Sequence, residues 1–300
     1  MQRIFLVTLL LFLYELNVNA GLFTSAEEDA FNFVKNKEYA KALKIIQNKN
    51  DFDANKYRII YYSDDIYVAK ALIKKGAKLN EKIKYSDLII KALKLEGDKQ
   101  YYDDTPLFKI RNAEVLKLLI DNGAEVNARG KHNETPMMNA RTFSALRVFL
   151  ENGAEINAQT GYGTTALKNI VNNDSRDEKN HLETLKMVYA LLMLKADPNL
   201  QDNGGHVALH SIRWGHVDIG KLLVAKGADI TITTPEGNSA LCYAIADRKM
   251  ELIKFYFRVG ANFDFRCENG MSLVEYSVKK NYKSSQITKF LIELQEAMGQ

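Results

Sequence analysis

The sequence predicts an all-α fold, a solenoid of short stacked helical units, and three observations support this prediction. Two sequence marks recur along the chain at a nearly constant period, the apolar residues between them follow helical spacing, and proline is rare. The chain has 300 residues, of which 46% are hydrophobic, 26% are charged and only four are proline. This composition is typical of a folded soluble protein and leaves helices uninterrupted.

The two marks define the repeating unit. The first is a Gly-Ala or Lys-Ala pair with Asn, Thr or Asp three residues after the alanine, and it begins at positions 76, 123, 153, 195, 227 and 260. The second is a triplet that starts on Thr, Ser or Val and ends on an apolar residue, and it begins at positions 105, 135, 165, 207, 239 and 272. From position 123 onward, each triplet starts twelve residues after its Gly-Ala or Lys-Ala pair. Two marks at a fixed offset and a period near 33 are typical of a stacked helical array.

The residues at these marks resemble the ankyrin repeat. Residues 207–210 (VALH) resemble the Thr-Pro-Leu-His opening of that repeat, and residues 215–223 (GHVDIGKLL) are similar to its second helix. The resemblance covers roughly residues 24–299 and implies roughly seven to eight units, including divergent caps. In every unit it implies a helix, a turn, a second helix and an outward-pointing hairpin. It also implies binding by surface contacts, without chemistry.

Helical spacing and chain punctuation agree with that assignment. In the unit at residues 241–260, apolar residues lie on two short segments that could not bury their apolar faces alone, so neighbouring units must supply the core. Glycine at the first mark suits a helix C-cap, and Thr or Ser at the second mark suits an N-cap. The units that open at Thr105 and Thr135 are 30 residues long, about one helical turn short. We expect their first helices to be short.

The first twenty residues have the pattern of a secretory signal peptide. Arg3 precedes an apolar run over residues 4–14, and residues 18–20 (VNA) place small side chains where a signal peptidase cuts. The run is too short for the ~20 apolar residues that a membrane-spanning helix needs. We therefore expect cleavage before Gly21, export to the periplasm or the outside, and no stable membrane anchor in the mature protein.

The remaining chain divides by its apolar pattern. Residues 21–56 are predicted to form N-terminal capping helices, residues 57–267 the repeats, and residues 268–300 a C-terminal capping repeat. Terminal units of a finite stack face water on one side, which explains the diluted apolar pattern at both ends. Insertions are predicted near residues 83–104 and 172–180. The first is either a degenerate repeat or an insertion, and the second, which is polar and lacks an apolar period, is predicted to be an exposed loop between two helices.

No group of residues in the sequence indicates catalysis, a metal site or a cofactor. His206, His210 and His216 lie within eleven residues, and a separation of four could chelate a metal on a helix. However, His210 and His216 occupy histidine positions of the ankyrin pattern, and His206 precedes the helix, so we interpret all three as structural. The sequence also lacks nucleophile elbows and phosphate-binding loops. We therefore predict a non-enzymatic protein without metal or cofactor.

The two cysteines raise the question of a disulfide. Cys242 holds the histidine position of one opening, and Cys267 lies five residues before the next opening. An exported protein can form disulfides, but the two Cα atoms must lie within ~7 Å. The sequence leaves a disulfide and two buried free thiols open, and the demanding geometry favours the free thiols.

Charge gives little information about the partner. The chain has 41 basic and 37 acidic residues, for a formal net charge of +4. Residues 35–99 are locally basic, with 16 Lys or Arg against nine Asp or Glu. Few aromatic residues are regularly interleaved with these charges, as single-strand binding would require. We expect no nucleic-acid partner and keep an acidic partner as a secondary alternative.

The predicted function is to bind another protein through the hairpin tips and the concave face of the first helices. Residues on this surface can vary without disturbing the shared core, so they carry specificity. The candidate partner-binding residues are Arg129, Lys131, His132, Tyr162, Asn203, Glu236, Tyr243, Arg266 and Glu268. Tyr162, Tyr243 and Arg266 rank first, because Tyr and Arg are frequent interface anchors. The alternative is an inhibitor or immunity-like protein that blocks one specific enzyme or toxin.

Overall fold

The structure is a computed structural model that describes residues 25–82, 104–212, 216–281 and 285–298. It divides into two compact units, residues 1–128 and 129–300, which are described in turn. The predicted signal peptide at residues 1–20 lies outside the described residues, as does nearly all of the predicted insertion at 83–104. The described part contains twelve α-helices, several 3₁₀ segments and one two-stranded sheet.

The first unit consists of short helices that pack in chain order. Its elements are α1 (Ala26–Lys35), α2 (Tyr39–Asn48), a 3₁₀ segment (Lys56–Tyr62), α3 (Ile66–Lys74), a 3₁₀ segment (Pro106–Phe108) and α4 (Ala113–Asp121). Polar side chains cap three of these helices: Ser25, Asp65 and Asn112 each accept a hydrogen bond from a backbone N–H in the first turn. Helix α1 packs on α2, α2 on α3, and α3 on α4. Each helix thus buries its apolar face against its neighbours.

The second unit continues the same alternation of short helices. Its elements are a 3₁₀ segment (Pro136–Asn139), α5 (Phe143–Glu151), α6 (Ala166–Asn172), α7 (Glu178–Met193), a 3₁₀ segment (Ala208–Ser211), α8 (Val217–Ala225), α9 (Ala240–Ala246), α10 (Met250–Arg258), β1 (Arg266–Cys267), a 3₁₀ segment (Glu268–Gly270), β2 (Met271–Ser272), α11 (Leu273–Asn281) and α12 (Gln286–Ala297). Strands β1 and β2 pair antiparallel, with Arg266 opposite Ser272 and Cys267 opposite Met271.

The prediction of short first helices in the repeats that open at Thr105 and Thr135 is confirmed. In each of these two repeats, a 3₁₀ segment of three or four residues replaces the first α-helix. The sequence did not predict the same replacement at Ala208–Ser211, where the unit is of normal length. A short repeat therefore indicates a shortened first helix. A repeat of normal length can also have a 3₁₀ segment there, and its length does not reveal this.

The Gly-Ala mark has a clear backbone role. Gly227 adopts a positive φ of 91°, and the N–H of Ala228 donates back to the Leu223 carbonyl (3.0 Å), which closes the end of α8. Lys195 adopts a φ of 66° at the equivalent position after α7, and Ala196 makes the same bond to Leu191 (2.9 Å). A non-glycine residue in this left-handed region costs roughly 1 kcal/mol.

The asparagine at the end of the mark connects consecutive repeats. Nδ2 of Asn199 donates to the Gly227 carbonyl (2.8 Å), and its Oδ1 accepts the Asp229 N–H (2.8 Å). In the first unit, Asn80 makes the same pair of bonds, to the Gly123 carbonyl and from the Glu125 N–H. A side-chain amide has N–H donors and a carbonyl acceptor side by side, so it can bond to a carbonyl and an N–H at the same time. The asparagine of one mark thus binds backbone groups of the next mark, which explains why the mark recurs along the chain.

The polar segment 172–180 differs from its prediction as an exposed loop. Asn172 is the last residue of α6, and α7 begins at Glu178, so only the intervening residues form a loop. Within that loop Asp174 is 7% exposed. The end of the segment thus forms the start of α7, which has sixteen residues, and its loop contributes a buried carboxyl group.

Cys242 and Cys267 form a disulfide, so the favoured prediction of two free thiols is wrong. Cys242 lies on α9, and Cys267 ends β1 in the following hairpin. Pairing of β1 with β2 folds the hairpin back onto α9, and the Cα atoms lie 5.9 Å apart, within the range that a disulfide requires. The tight hairpin was not visible in the sequence, and its geometry decides the question.

Among the described residues, no helix combines the length and the apolar character needed to cross a bilayer.

Candidate functional site

Hydrogen bonds that include backbone groups join the tips of neighbouring hairpins in the second unit. The Gly161 N–H donates to the His132 carbonyl (2.6 Å), and the Asn203 N–H donates to the Tyr162 carbonyl (2.9 Å). Further along, the Glu268 N–H donates to Oδ1 of Asn238 (3.0 Å). We call the tips at residues 129–134, 160–164, 202–206, 234–238 and 266–272 the tip row.

The tip row also includes a close backbone approach at Gly205. A Cβ on this glycine, whose φ is 74°, would lie 2.8 Å from Cδ of Pro235 in the next tip. Only glycine permits both the positive φ and this contact. Consecutive tips are therefore in direct contact, and side chains on them have fixed relative positions.

Tyr162 is the most prominent side chain of the tip row. It is 61% exposed, and its ring lies 5.5 Å from the ring of His132 on the neighbouring tip. Nδ2 of Asn203 donates to the Gly161 carbonyl (3.1 Å), which holds the Tyr162 tip from the other side. The structure thus brings three of the predicted binding residues together around an exposed aromatic ring.

Three predicted charged residues lie on the tip row, and two of them are already paired within the chain. Arg129 forms an ion pair with Glu155 and donates from Nη1 to the Asn133 carbonyl (3.2 Å). Lys131 is exposed at the same tip. Glu268 pairs with Lys279 (3.3 Å) and Lys280 (3.1 Å), and these ammonium groups lower the pKa of its carboxyl group. Arg129 and Glu268 would have to give up or share these pairs to contact a partner.

Two further predicted residues lie exposed at the far tips. Glu236 is exposed, and a hydrogen bond with the Thr234 hydroxyl lowers the pKa of its carboxyl group. Arg266 is exposed on β1, beside the disulfide residue Cys267. Neither lies in the aromatic cluster around Tyr162, so they extend the surface instead of forming its centre.

Tyr243 lies on α9, where it contacts His206 of the tip row and a second histidine, His210. Its hydroxyl is 2.9 Å from Nε2 of His206, and its ring lies 5.3 Å from the ring of His210. Burial raises the pKa of the Tyr243 hydroxyl. Because Tyr243 already has a partner and is only partly exposed, it is a weaker anchor than Tyr162.

His210 has the structural role that the sequence predicts. Its Nδ1 accepts the Val207 N–H (3.0 Å), and its Nε2–H donates to the Ile232 carbonyl (3.2 Å), so the ring is held in its neutral form. Burial, followed by the charge of His206, lowers the pKa of His210 to about 4. The imidazole thereby joins one repeat opening to the next hairpin.

Equivalent positions in other repeats make this connection with different chemistry. Lys168 holds the histidine position of its opening and forms an ion pair with Asp202 in the following hairpin. Cys242 holds the same position and is bonded to Cys267. Asp202 and Cys267 each lie five residues before the next opening. The tip row is therefore fixed to the helices beneath it at successive repeats.

Helix α7 carries an exposed apolar face that the sequence analysis missed. Leu182, Tyr189 and Met193 are each at least half exposed, and their spacing of seven and four residues places them on one side of the helix. The sequence assigned residues 172–180 to a loop, so the length of this helix and its unpaired face could not be recognised.

A cluster of titratable side chains also escaped the sequence analysis. The carboxylate of Asp174 lies 3.0 Å from Nδ1 of His181 and 2.5 Å from Nδ1 of His216. Nε2 of His181 lies 2.8 Å from Oδ2 of Asp218. Burial alone would lower the pKa of His181, but its bonds to Asp218 and Asp174 outweigh burial and raise it. The sequence compared three histidines close in the chain, whereas the structure pairs His216 with a histidine 35 residues away.

Comparisons with known proteins agree with this architecture. Residues 177–267 match a family model described as ankyrin repeats in three copies. The chain is similar to the crystal structure of the ankyrin repeat domain of Bcl-3, a member of the IkappaB protein family, with 18% sequence identity and a TM-score of 0.54. That match covers 88% of this chain and 97% of the Bcl-3 domain. No curated protein sequence matches the chain.

The chain therefore contains ankyrin repeats, and the predicted all-α ankyrin-repeat solenoid is confirmed as its fold class. Ankyrin repeats generally mediate protein–protein interaction and typically act as non-enzymatic scaffolds. The individual binding residues predicted from the sequence stay predictions.

Proposed function

We propose that this chain, which contains ankyrin repeats, binds another protein through the tip row, with Tyr162 at the centre of the contact. The observation that carries the proposal is an exposed aromatic ring held on a hydrogen-bonded edge. Tyr162 is 61% exposed, and the tips on both sides of it are joined to it by hydrogen bonds. A rigid aromatic side chain loses little conformational entropy on binding and is a frequent interface anchor.

The charges of the tip row favour a protein partner of mixed polarity over a nucleic acid. Arg129 and Lys131 lie at one end of the tip row, whereas the far tips carry both Arg266 and the acidic residues Glu236 and Glu268. Nucleic-acid binding depends on a surface with uniformly positive charge along the phosphate backbone. A surface of mixed charge instead fixes the orientation of a protein partner.

We further propose that the protein is exported and binds its partner in the periplasm or outside the cell. The signal-peptide pattern of residues 1–20 supports export. The Cys242–Cys267 disulfide is independent support, because disulfides persist in oxidising compartments and are rare in the cytosol. The mature protein under this proposal begins at Gly21 and has no membrane anchor.

The test is affinity capture with the mature chain, residues 21–300, as bait in a native extract. A partner identified by mass spectrometry is then titrated against the wild type and Tyr162→Ala. We expect Tyr162→Ala to weaken binding at least tenfold, which corresponds to about 1.4 kcal/mol, while the melting temperature stays nearly unchanged.

The matched control is Tyr189→Ala, which removes a similarly exposed tyrosine from α7. Under the proposal, this variant binds like the wild type. If Tyr189→Ala weakens binding and Tyr162→Ala does not, the apolar face of α7 is the interface and the tip row is not.

A narrower function is inhibition of one enzyme or toxin. If the captured partner is an enzyme, stoichiometric addition of the wild type should reduce its turnover. Tyr162→Ala should then relieve inhibition by the same factor by which it weakens binding. A partner whose activity is unchanged in the complex would remove this alternative and leave the scaffold function.

A further inference from the structure

The cluster of Asp174, His181 and His216 joins three elements of consecutive repeats. Asp174 lies in the loop after α6, His181 lies in the first two turns of α7, and His216 is the N-cap residue of α8. One carboxylate faces Nδ1 of both imidazoles, and the two rings lie 3.8 Å apart between centroids. Asp174 is only 7% exposed, so this convergence occurs largely away from solvent.

A neutral His181 cannot bond to both of the ionised carboxylates that it faces in the cluster. His181 faces a carboxylate at each of its ring nitrogens, Asp174 at Nδ1 (3.0 Å) and Asp218 at Nε2 (2.8 Å). A neutral imidazole has one N–H, and an ionised carboxylate only accepts. One of the two contacts therefore needs a second positive centre, either an additional proton or a metal ion.

A metal ion satisfies both contacts of His181 with a single tautomer. If Nδ1 of His181 and of His216 and one oxygen of Asp174 bind the ion, then Nε2–H of His181 donates to Asp218. This is the arrangement in which a metal-bound histidine is oriented by an outer carboxylate. One oxygen or nitrogen from each of the three ligands lies within 4.8 Å of the others. Metal–ligand bonds of about 2.0–2.2 Å in a tetrahedron place ligand atoms about 3.4 Å apart, so the two contacts of the Asp174 carboxylate with the histidines need to open by less than about 1 Å.

We propose that Asp174, His181 and His216 bind one divalent ion of the zinc class, with Asp218 as a positioning residue for His181. Two imidazole nitrogens and one carboxylate oxygen suit Zn²⁺ and similar transition metals, whereas Ca²⁺ and Mg²⁺ prefer oxygen ligands alone. Three protein ligands leave a fourth position for water or an incoming ligand. The ion connects the segment that follows α6 to the starts of α7 and α8.

The first test is zinc titration of the mature full-length chain in buffer that contains excess Mg²⁺, followed by calorimetry. We expect one Zn²⁺ per chain for the wild type. His181→Ala and His216→Ala should each lose at least tenfold in affinity. His206→Ala is the matched control, since it removes a partly exposed histidine outside the cluster and should keep the wild-type affinity.

The second test separates a metal site from a merely structural cluster. Asp218→Asn keeps all three ligands and should weaken zinc binding by about 10- to 100-fold, the usual effect of losing an outer-shell partner. Co²⁺ in place of zinc should give the visible absorption of a four-coordinate site in the wild type and lose it in His181→Ala, whose fold is checked by circular dichroism without metal. If the wild type binds zinc no more tightly than His181→Ala, or loses binding only in His206→Ala, the proposal is overturned and His181 is held by its two carboxylates as an imidazolium.

Discussion

Two regions of the second unit solve the same packing problem with different chemistry. At residues 165–202, Lys168 reaches the following hairpin through an ion pair with Asp202. At residues 239–267, Cys242 reaches the following hairpin through a disulfide with Cys267. The members of each pair occupy equivalent places in their repeats. The comparison shows that the backbone fixes where the connection lies, while the side chains that make it can change.

The two connections differ in what they cost and what can break them. Lys168 and Asp202 are both largely buried, so their charges have lost most of their hydration. Burial alone would raise the pKa of Asp202, but the bond with Lys168 and the His206 N–H outweigh it and lower the pKa. The disulfide has no charge to desolvate. We therefore expect the stability that the ion pair contributes to depend on pH and on the presence of both side chains. The stability that the disulfide contributes should depend only on redox conditions.

The largest effect is expected when the ion pair loses one member. Asp202→Ala leaves the Lys168 ammonium without its carboxylate in a largely buried place, which should lower the free energy of unfolding by about 3–5 kcal/mol. Urea denaturation followed by circular dichroism measures this. As a control, Asp202→Ala should cost much less in a Lys168→Met background, because no uncompensated charge stays behind. Equal costs in both backgrounds would show that the two residues are not coupled.

A smaller effect is expected from the disulfide. Reduction of Cys242–Cys267 opens a covalent loop whose ends are 25 residues apart in sequence, which corresponds to about 3 kcal/mol of stability. Denaturation with and without dithiothreitol should show this difference in the wild type. The Cys242→Ala/Cys267→Ala variant should be insensitive to dithiothreitol. If reduction does not change the stability of the wild type, the disulfide does not contribute to stability as we expect.

The smallest effect concerns His210, the third residue at this position, whose connection depends on pH. Its pKa is lowered to about 4 in the folded protein, below the value near 6.5 of an unfolded chain. The neutral ring is favoured by folding, so its contribution is fully present above pH 6.5 and is lost as the pH falls towards 4. Between pH 7.5 and 5 we expect a loss of about 2 kcal/mol. Charged groups near the ring are His206, Lys168 and Asp202.

Denaturation of His210→Gln at the same two pH values isolates this contribution. Glutamine can still donate to the Ile232 carbonyl but does not titrate, so this variant should lose about 2 kcal/mol less than the wild type over the same interval. Parallel pH profiles would assign the pH dependence to other groups.

The fold was predictable from the sequence because its marks have backbone causes. The positive φ of Gly227 and the bridging amide of Asn199 each require one residue type at a fixed offset. The same regularity predicts that Tyr162 and Asn203 lie on hairpin tips, where both residues are found. Local backbone constraints of this kind leave a direct trace in the sequence.

The parts that were missed depend on contacts between residues that no short pattern connects. His181 and Asp174 lie 35 or more residues from His216 in the chain, and no short pattern around any of the three indicates that they meet. The disulfide required knowing how sharply β1 and β2 fold back towards α9. The exposed face of α7 required knowing where the helix begins. These features are set by tertiary distances, and one sequence contains no direct record of them.

The position of the disulfide also determines how the protein responds to a pulling force. The segment between Cys242 and Cys267 would span about 85 Å if fully stretched, but the bond holds its ends 5.9 Å apart. All of α10 lies within this loop. Tension applied to the chain ends therefore passes through the sulfur atoms and bypasses α10. In the oxidised protein, that helix is mechanically shielded, and its length becomes available to extension only after the bond is reduced.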